Sequence, residues 1–154
     1  MVPKKNWNPG NVVEIKLEDD SFAYGVVITA SLMAFSNKNY STKQIISNHL
    51  FNIDLFKIWV MKYAIGKNGW PVVGQIELTN ELLVKPKFYK QDSISGKFYH
   101  YVDCVNDIQV KIEDCINLEC AAVWDPAHVE SRLFDAKKGV KNKWVESLKA
   151  KNKV

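Results

Sequence analysis

From Val13 to Leu17 the chain alternates. Val13, Ile15 and Leu17 interleave with Glu14 and Lys16, the period-two pattern of a strand with one face buried. Asn8-Pro9-Gly10 precedes it as a turn, Pro presetting one backbone angle and Gly supplying a positive φ. A polar run, Glu18-Asp19-Asp20-Ser21, follows, and then 22–28 places Phe22, Tyr24, Val26 and Ile28 on one face. Two alternating segments joined by a short polar turn predict a β-hairpin over 11–17 and 22–28. Gly25 sits mid-strand, where a glycine marks a bulge or a close backbone approach. A third strand is expected over 31–35.

Ser41-Thr42-Lys43-Gln44 has the form of a capping box, and Ile46, His49, Leu50 and Ile53 recur at helical spacing. A short helix over 42–51 is expected, with His49 on its core stripe. Residues 55–65 are nearly continuously apolar, aromatic and β-branched. They read as a strand covered on both faces, with a buried helix as the alternative. A turn at 66–69 predicts a return strand over 70–78, with Pro71 near its start or on an edge. Segments 87–91 and 97–102, joined by the Asp92–Gly96 turn, predict another hairpin. Residues 110–118 fit a strand end followed by a helical turn.

The last third reads as helical. Asp125 is a favoured N-cap and Pro126 a favoured first helical residue. Trp124 and Val129 then occupy the two positions of a hydrophobic staple. A helix over 126–136 follows, with Val129, Leu133 and Ala136 inward and Glu130 and Arg132 pointing away. Gly139 stops it, and Asn142 caps a last helix over 143–150 that carries Trp144, Val145 and Leu148. Strands first, one early helix, more strands and helices last describe a β-rich α+β domain. The expected architecture is a set of antiparallel hairpins in a twisted sheet or a partly open SH3-like barrel. One domain is expected over 1–154, with a lysine-rich segment at 137–154.

Charge sharpens this picture. Residues 6–136 carry twelve basic and sixteen acidic side chains, whereas 137–154 carry seven lysines and one acid, within a total formal charge of +4. An acidic body bears a basic end. Arg132 is the only arginine, which argues against sequence-specific nucleic-acid reading, since arginine dominates bidentate base contacts. No apolar run approaches the ~20 residues needed to cross a bilayer. No secretory leader pattern opens the chain, so a cytoplasmic location with reduced Cys104, Cys115 and Cys120 is expected.

Candidate chemistry is sparse. Trp124, Asp125, His128 and Glu130 crowd together, but each has a capping or packing duty, and a helix N-terminus lowers the pKa of a first-turn histidine. His100, Cys104, Cys115 and Cys120 lack the paired knuckles of a zinc site, so no metal and no cofactor are expected. No nucleophile elbow, H-E-x-x-H or phosphate loop occurs, and no catalytic residue is assigned. What remains is a set of acidic side chains on turns: Glu18, Asp19, Asp20, Asp103, Asp107, Glu113, Asp114 and Glu119. Loops on a rigid sheet commonly carry binding residues, and such a surface suits a basic partner. The alternative is a small β-barrel module that binds peptide or nucleic acid through the lysine-rich end.

Motif order adds a resemblance. Lys4-Lys5-Asn6-Trp7-Asn8-Pro9-Gly10-Asn11-Val12-Val13 is followed by Ile15-x-Leu17-x-Asp19-Asp20-x-x-Ala23-Tyr24-Gly25-x-Val27. Phe56-Lys57-Ile58-Trp59-Val60 and Phe88-x-x-Gln91-Asp92-x-x-Ser95-Gly96-Lys97 come next. Leu118-Glu119-x-Ala121-Ala122-Val123-Trp124-Asp125-Pro126-x-His128-Val129-Glu130-x-Arg132-Leu133 and Asn142-Lys143-Trp144 close the series. Together these resemble the immunity protein 26 family, with Gly10, Tyr24, Gly25, Trp124, Asp125, Pro126 and Val129 as structural motif positions. Two departures stand out: Asn11 replaces the usual acidic residue, and Asp19-Asp20-Ser21 lacks an expected glycine. The resemblance implies a mostly β, non-enzymatic bacterial protein of the cytosol. It would be encoded beside a polymorphic or contact-dependent-inhibition toxin, and would bind and neutralise that toxin. It transfers no interface residues.

Overall fold

The computed structural model describes residues 4–102 and 105–152. Asp103 and Cys104 lie outside the described residues, as does the side chain of Asp107. Ten strands among the described residues form two open, mixed sheets, with no closed barrel. The first sheet contains β1 (Asn11–Lys16), β2 (Phe22–Thr29), β3 (Leu32–Ser36), β4 (Leu55–Val60), β5 (Val72–Gln75) and β10 (Val123–Trp124), in the order β10-β4-β3-β2-β1-β5. The second contains β6 (Phe88–Gln91), β7 (Phe98–Val102), β8 (Val105–Val110) and β9 (Glu119–Cys120), in the order β8-β7-β6-β9. Three α-helices complete it: α1 (Asn80–Leu83), α2 (Pro126–Lys138) and α3 (Lys143–Leu148).

Alternation in the strands builds two cores on opposite faces of the first sheet. Val13, Ile15, Ala23, Val27, Met33, Phe35, Phe56 and Ile58 face α2 and α3, where Val129 and Leu133 are buried. Val12, Tyr24, Val26, Leu32 and Ala34 face the other way, toward Leu50, Phe51, Leu82 and Phe88. The central strands are therefore buried on both faces. Gly25 is the close approach its position implied: a Cβ there would lie 2.6 Å from the Phe35 ring. That ring is itself stacked on Phe56 at 5.4 Å and set edge-on to Trp70 at 5.6 Å, so it has no room to retreat. Gly10 takes φ +91°, and a Cβ would meet the Ile76 carbonyl at 2.4 Å.

Several expectations change. The helix over 42–51 is absent except for a 3-10 turn at Asn48–Phe51. Tyr40 exchanges two backbone hydrogen bonds with Phe22, and the Gln44 amide donates to Tyr24 Oη at 2.8 Å. These bonds hold the chain from Tyr40 to Gln44 against β2 in non-helical backbone. Ile45 is 85% exposed and His49 is exposed, not core. The strand over 55–65 stops at Val60, before a 3-10 turn at Lys62–Ala64. Its supposed return strand, β5, pairs instead with β1 at the far end of the sheet. Two pairings are parallel, β10 with β4 and β9 with β6, because chain returning from the second sheet enters beside both. Residues 112–115 form a 3-10 turn after β8. Helix α1, missed in the sequence, is capped by Thr79 Oγ1, which accepts from the Leu82 amide at 3.3 Å.

Helix α2 keeps its expected caps. Asp125 Oδ1 accepts from the Ala127 amide at 2.8 Å, Pro126 opens the helix, and Gly139 closes it in the left-handed region at φ 69°. Its sides differ from expectation. Ala136 is exposed, whereas Glu130 and Arg132 turn inward. The Arg132 guanidinium lies 3.7 Å from the Phe56 ring centroid and 5.2 Å from that of Trp124. It also donates to both oxygens of Glu119, at 3.1 and 2.5 Å. His128 stacks on Trp144 at 3.6 Å, joining α2 to α3. The Tyr89 hydroxyl donates to the Leu148 carbonyl, tying the end of α3 to the second sheet.

Two outcomes test this framework. Arg132→Ala leaves Glu119 without its partner in a half-buried site and removes the cation–π stack. It should lower unfolding stability by about 3 kcal/mol, with Glu119→Gln costing less, both read by urea melts. The carboxyl of Asp125 is held below the ordinary aspartate value by the Tyr63 hydroxyl first and the Ala127 amide second. A depressed folded pKa gives stability that is present above the unfolded value near 3.8 and lost as pH falls through the folded value. Asp125→Asn, which can still cap, should therefore flatten the acid limb of a pH–stability curve below about pH 4. Asp125→Ala should in addition cost about 1 kcal/mol at neutral pH.

Candidate functional site

The β1–β2 turn is built from its acids. The Leu17 amide donates to the Ser21 carbonyl at 2.8 Å and the Asp20 amide to the Leu17 carbonyl at 2.9 Å. Asp20 itself adopts φ 66°, a left-handed conformation that aspartate tolerates better than most residues. This explains how the turn does without a glycine. Asp19 Oδ1 accepts from the Ser21 amide at 3.1 Å and its hydroxyl at 2.5 Å, while Oδ2 pairs with Lys137 of α2. The Lys137 bond, followed by the Ser21 hydroxyl, holds the Asp19 carboxyl far below the usual carboxylate range. Asp20 lies 3.5 Å from Lys16, and both are exposed. Glu18 lines a cleft of about 270 Å³ against Glu130, Phe134 and Asp135 of α2.

Beside this turn runs a larger groove, about 650 Å³, between the edge of β1 and the first turns of α2. Its origin is the early end of β5. The two strands pair only as far as Val13 and Val72, and the Glu14 amide reaches the Pro71 carbonyl at 3.2 Å. Beyond that point no described backbone covers β1 on this side. Trp70, 4% exposed, lies at the groove, and its indole donates to Glu130 Oε2 at 3.1 Å. Glu14 Oε2 accepts from the Tyr24 hydroxyl at 3.0 Å. Burial raises the Tyr24 pKa above that of a free tyrosine, and Glu14 pushes it further in the same direction. At the other end the Tyr63 hydroxyl donates to Asp125 Oδ2 at 2.7 Å. Lys43 lies 3.7 Å from Glu14 Oε1 and 5.9 Å from the centre of the Phe22 ring.

Glu130 and Ala127 line both cavities, so the acidic turn and the groove form one continuous face. The sequence named Glu18, Asp19 and Asp20 on it, but missed Glu14, Trp70, Glu130 and Asp135 as site residues. No local signal marks the groove, because Trp70 and Glu130 meet across sixty positions of chain. The other acids lie elsewhere. Glu113 and Asp114 are exposed in the 3-10 turn packed against β7, where His100 Nε2 lies 3.1 Å from the Asp114 carbonyl. Glu119 is committed to Arg132. Asp125 and His128 form no catalytic pair: both Asp125 oxygens have other partners, and the His128 ring lies flat on Trp144. Among the described residues no group of three or more His, Cys, Asp or Glu side chains is placed to hold a metal ion. No described helix is long and apolar enough to cross a membrane.

Comparison with known proteins gives a family match. The family model described as immunity protein 26 matches residues 8–100, more than half of the chain. That span holds the whole β1–β2 hairpin, Gly10, Tyr24, Gly25 and one wall of the groove, including Glu14 and Trp70. It stops short of the Leu118–Leu133 stretch, so the opposite wall, on α2, lies outside the match. No curated protein and no solved structure matches the chain. On the strength of the family match, the chain belongs to the immunity protein 26 family.

Proposed function

We propose that this protein acts as a toxin-neutralising immunity protein. It binds the toxin domain encoded beside it in the bacterial cytoplasm and holds that toxin in an inactive stoichiometric complex, without catalysis of its own. The observation that carries this reading is the family match over residues 8–100. The acidic face supports it physically. Glu14, Glu18, Asp19, Asp20, Asp125, Glu130 and Asp135 are gathered there around Trp70 and Tyr63, and outnumber Lys16, Lys43, Lys137 and Lys138, which are paired among them. A standard interface covers about 800 Å² per partner, under a tenth of this protein's 8946 Å² surface. The charge of the acidic face suits a basic target, such as a nuclease, whose approach it would steer. Glu113 and Asp114 line neither cavity; they are exposed in the 3-10 turn against β7.

Binding of nucleic acid through the lysine-rich end is the competing reading. Within 137–154, Lys137 pairs with Asp19, Lys138 with Asp135 and Lys149 with Glu146, which lowers the charge left for phosphate. Co-expression with the adjacent toxin tests the proposal. Cells should survive, and the two chains should co-elute on size-exclusion chromatography with nanomolar affinity or better, about −12 kcal/mol. Continued killing without a complex would sink it. Tight, salt-sensitive nucleic-acid binding that vanishes on removal of 137–154 would establish the competitor instead.

A further inference from the structure

We infer that the groove between the β1 edge and α2 seats a single basic side chain of the partner, an arginine or a lysine; this rests on the toxin-binding reading above. Its chemistry is that of a cation site. Phe22, Tyr63 and Trp70 give it aromatic walls, and Glu14, Asp125 and Glu130 give it three carboxylates. Aromatic faces attract a cation through the ring quadrupole, most strongly where water is excluded. A guanidinium offers five donors in a fixed fork.

The carboxylates are held in place but not used up. Glu130 accepts from Trp70 through Oε2, and the same carboxylate has a second oxygen. Glu14 accepts from Tyr24 through Oε2, and Lys43 stands 3.7 Å from Oε1, beyond hydrogen-bond distance. Each ionised carboxylate has about four acceptor directions. Anchored acids with open lone pairs are pre-organised for an incoming donor, which reduces the ordering cost of binding.

The protein's own lysine shows that an ammonium is accommodated here. Lys43 places its charge between Glu14 and the Phe22 ring while most of its side chain stays in water. It holds one end of the groove loosely, and a partner's basic group displaces or joins it. The other groove lysine, Lys16, is turned to Asp20 at 3.5 Å, which leaves the lining with an acidic excess. The volume, about 650 Å³, exceeds what one long side chain fills, so the neighbouring backbone of the partner also has room beside the uncovered edge of β1.

The test uses the whole protein and a defined probe. N-acetyl-arginine amide is titrated while the Trp70 indole N–H is followed by NMR, with Trp70→Phe identifying its signal and N-acetyl-norleucine amide as the control. A saturable shift with arginine and none with norleucine supports the site. The double variant Glu14→Gln and Glu130→Gln keeps acceptors for Tyr24 and Trp70 but removes the charges, and should weaken arginine binding at least tenfold with an unchanged melting curve. Lys43→Ala should strengthen binding severalfold, which a purely structural role would not produce. No saturable shift, or an equal one with norleucine, overturns the site. With the toxin, the double Gln variant should raise Kd at least tenfold, whereas Glu77→Gln should leave it unchanged. An unaffected toxin Kd overturns the assignment of the groove to that partner. Arginine binding with no toxin complex at all would keep the cation site and remove the toxin reading instead.

Discussion

A single guanidinium joins the helical layer of this fold to both of its sheets. Arg132 extends from α2 between two aromatic rings of the first sheet and grips Glu119 of the second. A planar, delocalised cation suits that place because it stacks on aromatics while its edge bonds a carboxylate in two places. Lysine offers a point charge and could do only one of these. Together with buried Val129 and Leu133, this contact fixes α2 on the sheet, and with it the groove residues that α2 carries.

Strand pairing sets the other wall. β5 releases β1 after Val13, the Glu14 amide still reaches the Pro71 carbonyl, and Lys16 is left on an uncovered stretch of edge. Proteins usually protect such edges with charge, and Lys16 and Glu14 provide it. The groove and the acidic turn are thus by-products of two ordinary events, an early strand end and a capped helix, that happen to face each other.

Much of this was legible in the chain. The β1–β2 and β6–β7 hairpins, the caps of α2 and the close approach at Gly25 follow from local rules: alternation, turn chemistry and the steric demand of a missing Cβ. What failed was whatever depended on distant partners. Residues 42–47 carry a plausible helix start, but Phe22 pairs with Tyr40 just before them and Tyr24 takes the Gln44 amide. Arg132 reads as solvent-facing on a helical wheel, and only the arrival of Phe56, seventy-six positions earlier, makes its inward turn favourable. The acidic turn was visible as a candidate because its residues adjoin in sequence, and the groove was invisible because its walls do not.

The two walls of the groove come from distant parts of the chain, Glu14 and Trp70 on one side and Glu130 on the other. The groove therefore exists only while α2 is docked on the first sheet, and local opening of that helix erases it. Any molecule that occupied the groove would by linkage hold the helix down, so its binding would be read as a slower opening of α2.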